Sequence, residues 1–243
     1  MLTHELSILL KIPRDFNDPH FCGILREIQS KLDEASILYI RGHITNGNET
    51  EQILLVDILG QNFVQHKNFH SACVEILTSL LNDASSSKLL TAVIYALGQL
   101  GTPVRCQCLL PFCQHPDSAV RTAVGWSLGG CESEDAVKSQ IHLSKDIDAE
   151  VRDIATFGLG SLISNNTSEI RDALFLRMSD ENPDVRFEAI VGLISRQDSR
   201  CLEHIQPSSF TEFQRRELLD AIPEEASDER WTRTKEQLSD SLS

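Results

Sequence analysis

The side chains best suited to chemistry are a cysteine and histidine group, Cys106-Gln107-Cys108 with Cys113 and His115. These atoms suit zinc, but on a helix Cys106 and Cys113 share a face while Cys108 points away, and the CxxC spacing of structural zinc sites is absent. Buried core thiols are the expectation. His66 and His70 stand four apart, yet no Glu follows His66, so the zinc-protease pattern is missing and a surface or capping role is expected. The chain has no GxSxG elbow, phosphate-binding loop or GxGxxG turn. The acidic pairs Glu224-Glu225 and Glu132 with Glu134 fall in polar connections, where a solvated face is the default. No catalytic set, metal or cofactor emerges, and the chain is expected not to be an enzyme.

A formal charge of −14 and a pI near 4.9 speak against nucleic acid, whose binding depends on Lys and Arg displacing counterions. The same field steers a basic protein toward this surface, although acidity also simply keeps proteins dispersed. Seven cysteines, an odd number without regular spacing, suit thiols in a reducing compartment, so a cytoplasmic location is expected. The first residues lack a basic stretch before the short apolar run at Ile8, and no segment approaches the roughly 20 apolar residues of a membrane span. Neither secretion nor membrane insertion is expected.

The elements that position these residues follow from an internal repeat. Thr91-Ala-Val-Ile-Tyr-Ala-Leu-Gly98 recurs as Thr122-Ala-Val-Gly-Trp-Ser-Leu-Gly129, as Asp153-Ile-Ala-Thr-Phe-Gly-Leu-Gly160 and, more loosely, as Phe187-Glu-Ala-Ile-Val-Gly-Leu-Ile194. The shared leucines Leu97, Leu128, Leu159 and Leu193 are separated by 31, 31 and 34 residues, and a degraded copy ending Leu59-Gly60 lies 38 earlier. Such a period means stacked supersecondary units. Val120, Ala123, Val124, Ser127 and Leu128 fall at i, i+3, i+4, i+7 and i+8, the apolar stripe of a helix. The fourth copy departs at Glu188, where an apolar residue is expected. Ala96, Ser127, Gly158 and Gly192 share one offset, and their small size lets helix axes approach closely. Segments 72–81, 104–114, 135–143, 169–178 and 199–205 read as the partner helix of each pair. Asp117, Asp148 and Asp184 are placed to cap the second helices.

The run from Asp117 through Val120-Arg121 to Leu128-Gly129, from Asp148 through Val151-Arg152 to Leu159-Gly160, and from Pro183-Asp184-Val185-Arg186 to Leu193 resembles HEAT repeats of the short, phycobilin-lyase-like type. The resemblance covers roughly residues 50–206. It implies that Arg121, Arg152 and Arg186 are structural, tying neighbouring repeats together through turn aspartates. Another HEAT family, the deoxyhypusine hydroxylases, holds two irons through repeated His-Glu pairs; His4-Glu5 alone answers that pattern here, which argues against that activity.

The expected fold is all-α, an α-solenoid of stacked antiparallel helix pairs forming a single domain over residues 1–243. Residues 1–45 are its N-terminal cap with a helix over 20–39, 46–206 hold about five repeats, and 207–243 are polar capping helices over 210–221 and 228–242. Tyr95, Trp126, Phe157 and Val191 lie two residues before the repeat leucines, off the apolar stripe. On the concave side they would form a column, with the aromatics about 9 Å apart, flanked by Thr91, Thr122, Asp153 and Phe187. Such a column is a credible anchor for a protein; the alternative is that the rings fill gaps between repeats. The expected function is therefore a monomeric, non-catalytic module that binds a basic protein, concretely an immunity protein neutralising a toxin such as a nuclease. The alternative implied by the resemblance is a bilin-lyase-like or chaperone-type factor acting on a tetrapyrrole-carrying protein. A helical DNA-repair glycosylase would need a basic face, which the charge opposes.

Overall fold

The computed structural model describes residues 2–12, 18–30, 32–61, 69–101, 103–222 and 229–242, which form helices and turns without a strand. His66, Glu224 and Glu225 lie outside them. Two compact units, Met1–Ser127 and Leu128–Ser243, divide the chain.

The first unit begins with α1 (Leu2–Leu9), α2 (Pro19–Ser30) and α3 (Glu34–Ile44). The single helix expected over 20–39 is thus two. Asp33 restarts the chain in extended geometry, its carboxylate accepting the Ser36 N–H at 2.8 Å, and such a cap ends one helix as it begins the next. Next come α4 (Glu49–Gly60), opened by an Asn48–Glu51 capping box, α5 (His70–Asp83) and α6 (Ser87–Leu100). Ser86 caps α6 and Gly101, at φ 67°, closes it in the left-handed conformation that favours glycine. The helix expected over 104–114 is instead the single turn α7 (Arg105–Cys108) and a 3₁₀ segment, Leu110–Gln114, because Pro111 cannot continue an α-helix. α8 (Ser118–Ser127) completes the unit. α3 packs on α4 and α5 on α6, while α4, α6 and α8 lie side by side in one layer.

The second unit repeats this plan with α9 (Glu134–Leu143), α10 (Ala149–Phe157), a π turn (Gly158–Leu162), α11 (Ser168–Arg177) and α12 (Pro183–Ser195). The last expected partner helix is only a 3₁₀ stretch, Ser199–His204. α13 (Glu212–Ala221) packs on α12, and α14 (Glu229–Asp240) on α13. These two polar helices do more than cover an end. Trp231, Leu218 and Leu238 enter the core together with Leu159, Leu174 and Leu193.

The repeat leucines Leu97, Leu128, Leu159 and Leu193 all have 0% exposure, as equivalent layers require. Three of the glycines that follow a repeat leucine, Gly60, Gly98 and Gly160, meet the small residue of the next copy, whereas Gly158, itself a small residue of the stripe, faces Gln140. A Cβ on Gly60 would lie 2.7 Å from Ala96 Cβ, one on Gly98 2.5 Å from Ser127 Oγ, and one on Gly192 2.5 Å from Gly160 Cα. Contacts this short leave no room for side chains, so the small residues set how closely the helices pack.

Each Val-Arg arginine folds back on its own turn. Arg121 Nη1 donates to the His115 and Pro116 carbonyls, Arg152 Nη1 to those of Asp146 and Ile147, and Arg186 Nη1 to those of Asp180 and Glu181. Arg152 also grips Asp180 of the following turn with two parallel bonds of 2.9 and 2.8 Å, both side chains being almost fully buried. Arg152 thus shows the implied tie between neighbouring turns through an aspartate, while the bonds of Arg121 and Arg186 given above brace their own turns. Asp148 caps α10 as expected, and Asp117 accepts the Ala119 N–H. Asp184 is not a cap: Asn182 takes that position, accepting the N–H groups of Asp184 and Val185, because Pro183 occupies the first helical position.

Candidate functional site

The chemically suggestive residues are occupied in structural tasks. Cys113 is buried, whereas Cys106 and Cys108 are half-buried, so the expectation of buried core thiols holds for Cys113 alone among these three. His115 Nδ1 accepts the Asp117 N–H at 3.1 Å, as the Asp146 and Asp180 carboxylates accept the N–H two residues on in their own turns. His70 Nε2 donates to the Leu100 carbonyl at 3.1 Å. Glu132 accepts from the Ser164 hydroxyl and N–H, which lowers its pKa, and Glu134 pairs with Lys138. Among the described residues, no cluster of three or more His, Cys, Asp or Glu is disposed to hold a metal. An open cleft of about 400 Å³ gathers Arg171, Arg196 and Arg200, but Arg200 is held by Asp198 and Asp172, and Arg196 by backbone carbonyls including those of Leu159, Gly160 and Ile163.

In the first unit, α6 and α8 bring Tyr95 and Trp126 together edge to face, with ring centroids 5.6 Å apart and planes at 66°. Trp126 is 42% exposed while the neighbouring apolar residues Ala123, Val124 and Leu128 are at 0%. The ring lies over Gly98, where a Cβ would come within 2.9 Å of it. Thr91 stands half-buried one turn before Tyr95. Thr122, expected to flank the column, is only 7% exposed and is out of a partner's reach.

In the second unit, Asp153 and Phe157 stand one turn apart on α10, both half-buried, and Val191 is half-buried on α12. Phe187 is a second correction: it is 7% exposed and packs against Phe210 at 6.2 Å, because the chain returning to α13 covers it. Three acidic residues that the pattern did not assign to a site join Asp153, namely Asp184 and Glu188 on α12 and Glu217 on α13. Burial together with the charges of Asp153, Glu217 and Asp184 pushes the Glu188 pKa up to about 7. Asp153 is raised by the same causes, burial first and then Asp184 and Glu150, and its Oδ1 is sealed from water without a hydrogen-bond partner. The available signal was Glu188 itself, a carboxylate on an apolar stripe.

Residues 44–129 match the family model for HEAT repeats. Protein YibA of Escherichia coli (strain K12) is 34% identical over 83 residues, a stretch that covers 34% of this chain and 29% of that protein's length. The X-ray structure of the E. coli YibA protein superposes with a TM-score of 0.68 at 20% identity, covering 98% of this chain and 95% of that one. An archaeal HEAT-like repeats protein from Thermococcus onnurineus NA1 gives 0.52 at 12% identity, covering 100% and 98%. A structure of the Pds5–Scc1 complex gives 0.55 at 12% identity over 96% of this chain and 41% of that one. Residues 44–129 thus match HEAT repeats, and the chain has an all-helical α-solenoid fold. No helix among the described residues is long and apolar enough to cross a membrane.

Proposed function

We propose that the chain is a non-catalytic binding module that holds a basic protein on the layer of second helices. The observation that carries this reading is Trp126, a large aromatic left 42% exposed beside Tyr95 in a helix that buries Val120, Ala123 and Val124. Aromatics in such positions dominate binding energy, because they bury much area at little entropic cost. Thr91, Asp153, Phe157 and Val191 belong to the same layer type in their respective units. The charge of −14 supports a basic partner through steering and electrostatic complementarity. An immunity protein that neutralises a basic toxin in the cytoplasm is the concrete form of this reading, and co-expression with the product of the neighbouring gene tests it.

The residue-level test is Trp126→Ala, titrated with small basic proteins at low and high salt. The expected result is salt-sensitive binding that weakens about tenfold or more in the variant, with a melting temperature within about 3 °C of the parent. A large fall in melting temperature with affinity unchanged would assign Trp126 to packing, and no salt-sensitive binding at all would overturn the reading.

A further inference from the structure

The face made by α10, α12 and α13 in the second unit carries a pattern beyond its net acidity. Each helix sets a carboxylate about one turn from an apolar side chain: Asp153 with Phe157, Glu188 with Val191, and Glu217 with Phe213, the last 70% exposed. Four carboxylates, counting Asp184, gather here, and among the described residues no ion pair is made by any of them. The arginines of the same helices are committed elsewhere. Arg152 is locked to Asp180, Arg186 to the Asp180 and Glu181 carbonyls, Arg215 to the Phe210 carbonyl and Arg216 to Glu212.

We propose that this face docks a cationic amphipathic segment of a partner protein, its Lys or Arg side chains entering among Asp153, Glu188 and Glu217 and its apolar side chains resting on Phe157 and Val191. The proposal rests on the protein-binding reading and names the occupant of one part of that surface. Charge complementarity selects the occupant: like charges crowded on a partly buried face cost the free protein stability, and an incoming cation relieves that repulsion. An anionic or purely apolar segment would not. The apolar residues beside each carboxylate give the stems and neighbours of the basic side chains a surface to cover.

The same arrangement links binding to protons. The charged groups acting on Glu188 are Asp153 from α10, Asp184 from α12 and Glu217 from α13, all acidic. With its pKa near 7, Glu188 is largely protonated at pH 6.5. A bound ammonium or guanidinium favours the carboxylate, so docking at that pH drives the Glu188 proton into the buffer.

The test is calorimetric titration of the full chain with a synthetic octapeptide of alternating Lys and Leu, and with one of alternating Glu and Leu. Measuring in two buffers of different ionisation enthalpy at pH 6.5 counts the proton. The expected results are binding of the Lys-Leu peptide alone, tenfold or greater weakening in the double variant Asp153→Asn/Glu188→Gln, and loss of proton release in Glu188→Gln. Both changes are near-isosteric and remove repulsion, so folding should survive; Glu188→Lys, which reverses the charge, should abolish binding and serves as the second variant. Equal affinity in parent and double variant, or equal binding of the two peptides, would overturn the proposal. Trp126→Ala should leave peptide affinity unchanged while weakening the basic proteins, so the two readings fail separately.

Discussion

Replacing Arg152 by Met keeps an unbranched side chain of similar length but removes the guanidinium that joins two turns of the second unit. Asp180 is then left buried with Arg177 Nη1 at 3.1 Å and the Asn182 N–H at 3.0 Å, having lost its two parallel bonds. Breaking one side of a buried ion pair costs about 3–5 kcal/mol, because the remaining charge keeps its desolvation penalty. The Asp146 and Ile147 carbonyls also lose a donor, at about 1 kcal/mol each where water does not replace it. A total of about 3–7 kcal/mol, the low end applying where water replaces the lost donor, is a large share of the about 5–15 kcal/mol that holds a domain folded. For a unit of this size the melting temperature should fall by on the order of 15 °C. Urea melts of the parent, Arg152→Met, Asp180→Leu and the double variant close a thermodynamic cycle. The pairing should appear as a coupling of about 2 kcal/mol or more, with the double variant more stable than the sum of the singles. A loss below about 1 kcal/mol in Arg152→Met, or a coupling near zero, would refute the idea that this arginine ties the turns.

The remaining expectations rest on other contacts. Gly192→Ala sets a methyl against the Gly160 backbone, which cannot move aside as a flexible side chain can, and should cost about 1–3 kcal/mol by chemical denaturation. For Glu188, the folded pKa of about 7 lies above the ordinary 4.5, so the folded state binds the proton more tightly. Its contribution is complete below pH 4.5 and is lost as pH rises through 7. Discounted for solvent screening, the change is about 1–2 kcal/mol, and Glu188→Gln should flatten that slope in melts taken from pH 4.5 to 8. Asp180 has the opposite sign. Burial raises it, but bonds from Arg152 and the Asn182 N–H and the nearby guanidinium charges outweigh this, so it titrates below 3.8 and its stabilisation disappears only as pH falls below that value. His115→Asp should leave the melting temperature nearly unchanged, since Asp146 and Asp180 do the same work, while His115→Ala should cost about 1 kcal/mol for the lost acceptor.

The amino-acid pattern by itself determined the repeat, the helices that carry it and the depth of its leucines. These depend on local periodicity: Leu97, Leu128, Leu159 and Leu193 recur because every copy buries the same position, and the small residues at Ala96, Ser127 and Gly192 follow from the same close approach. Breaks set by one cap or one ring were harder to see, as Asp33 and Pro111 illustrate, although each acts over only a few residues. Tertiary structure decided which off-stripe residues face outward. Trp126 stays exposed while Phe187, at a neighbouring offset in its own copy, is covered by Phe210 from a segment outside the repeat. It also decided the environment of Glu188, which reads as a defect in the stripe until α10 and α13 bring Asp153 and Glu217 beside it. Periodicity reports the face a residue occupies on its own helix; exposure and charge environment depend on what other helices bring to that face through space, where electrostatics and packing act without regard to position along the chain.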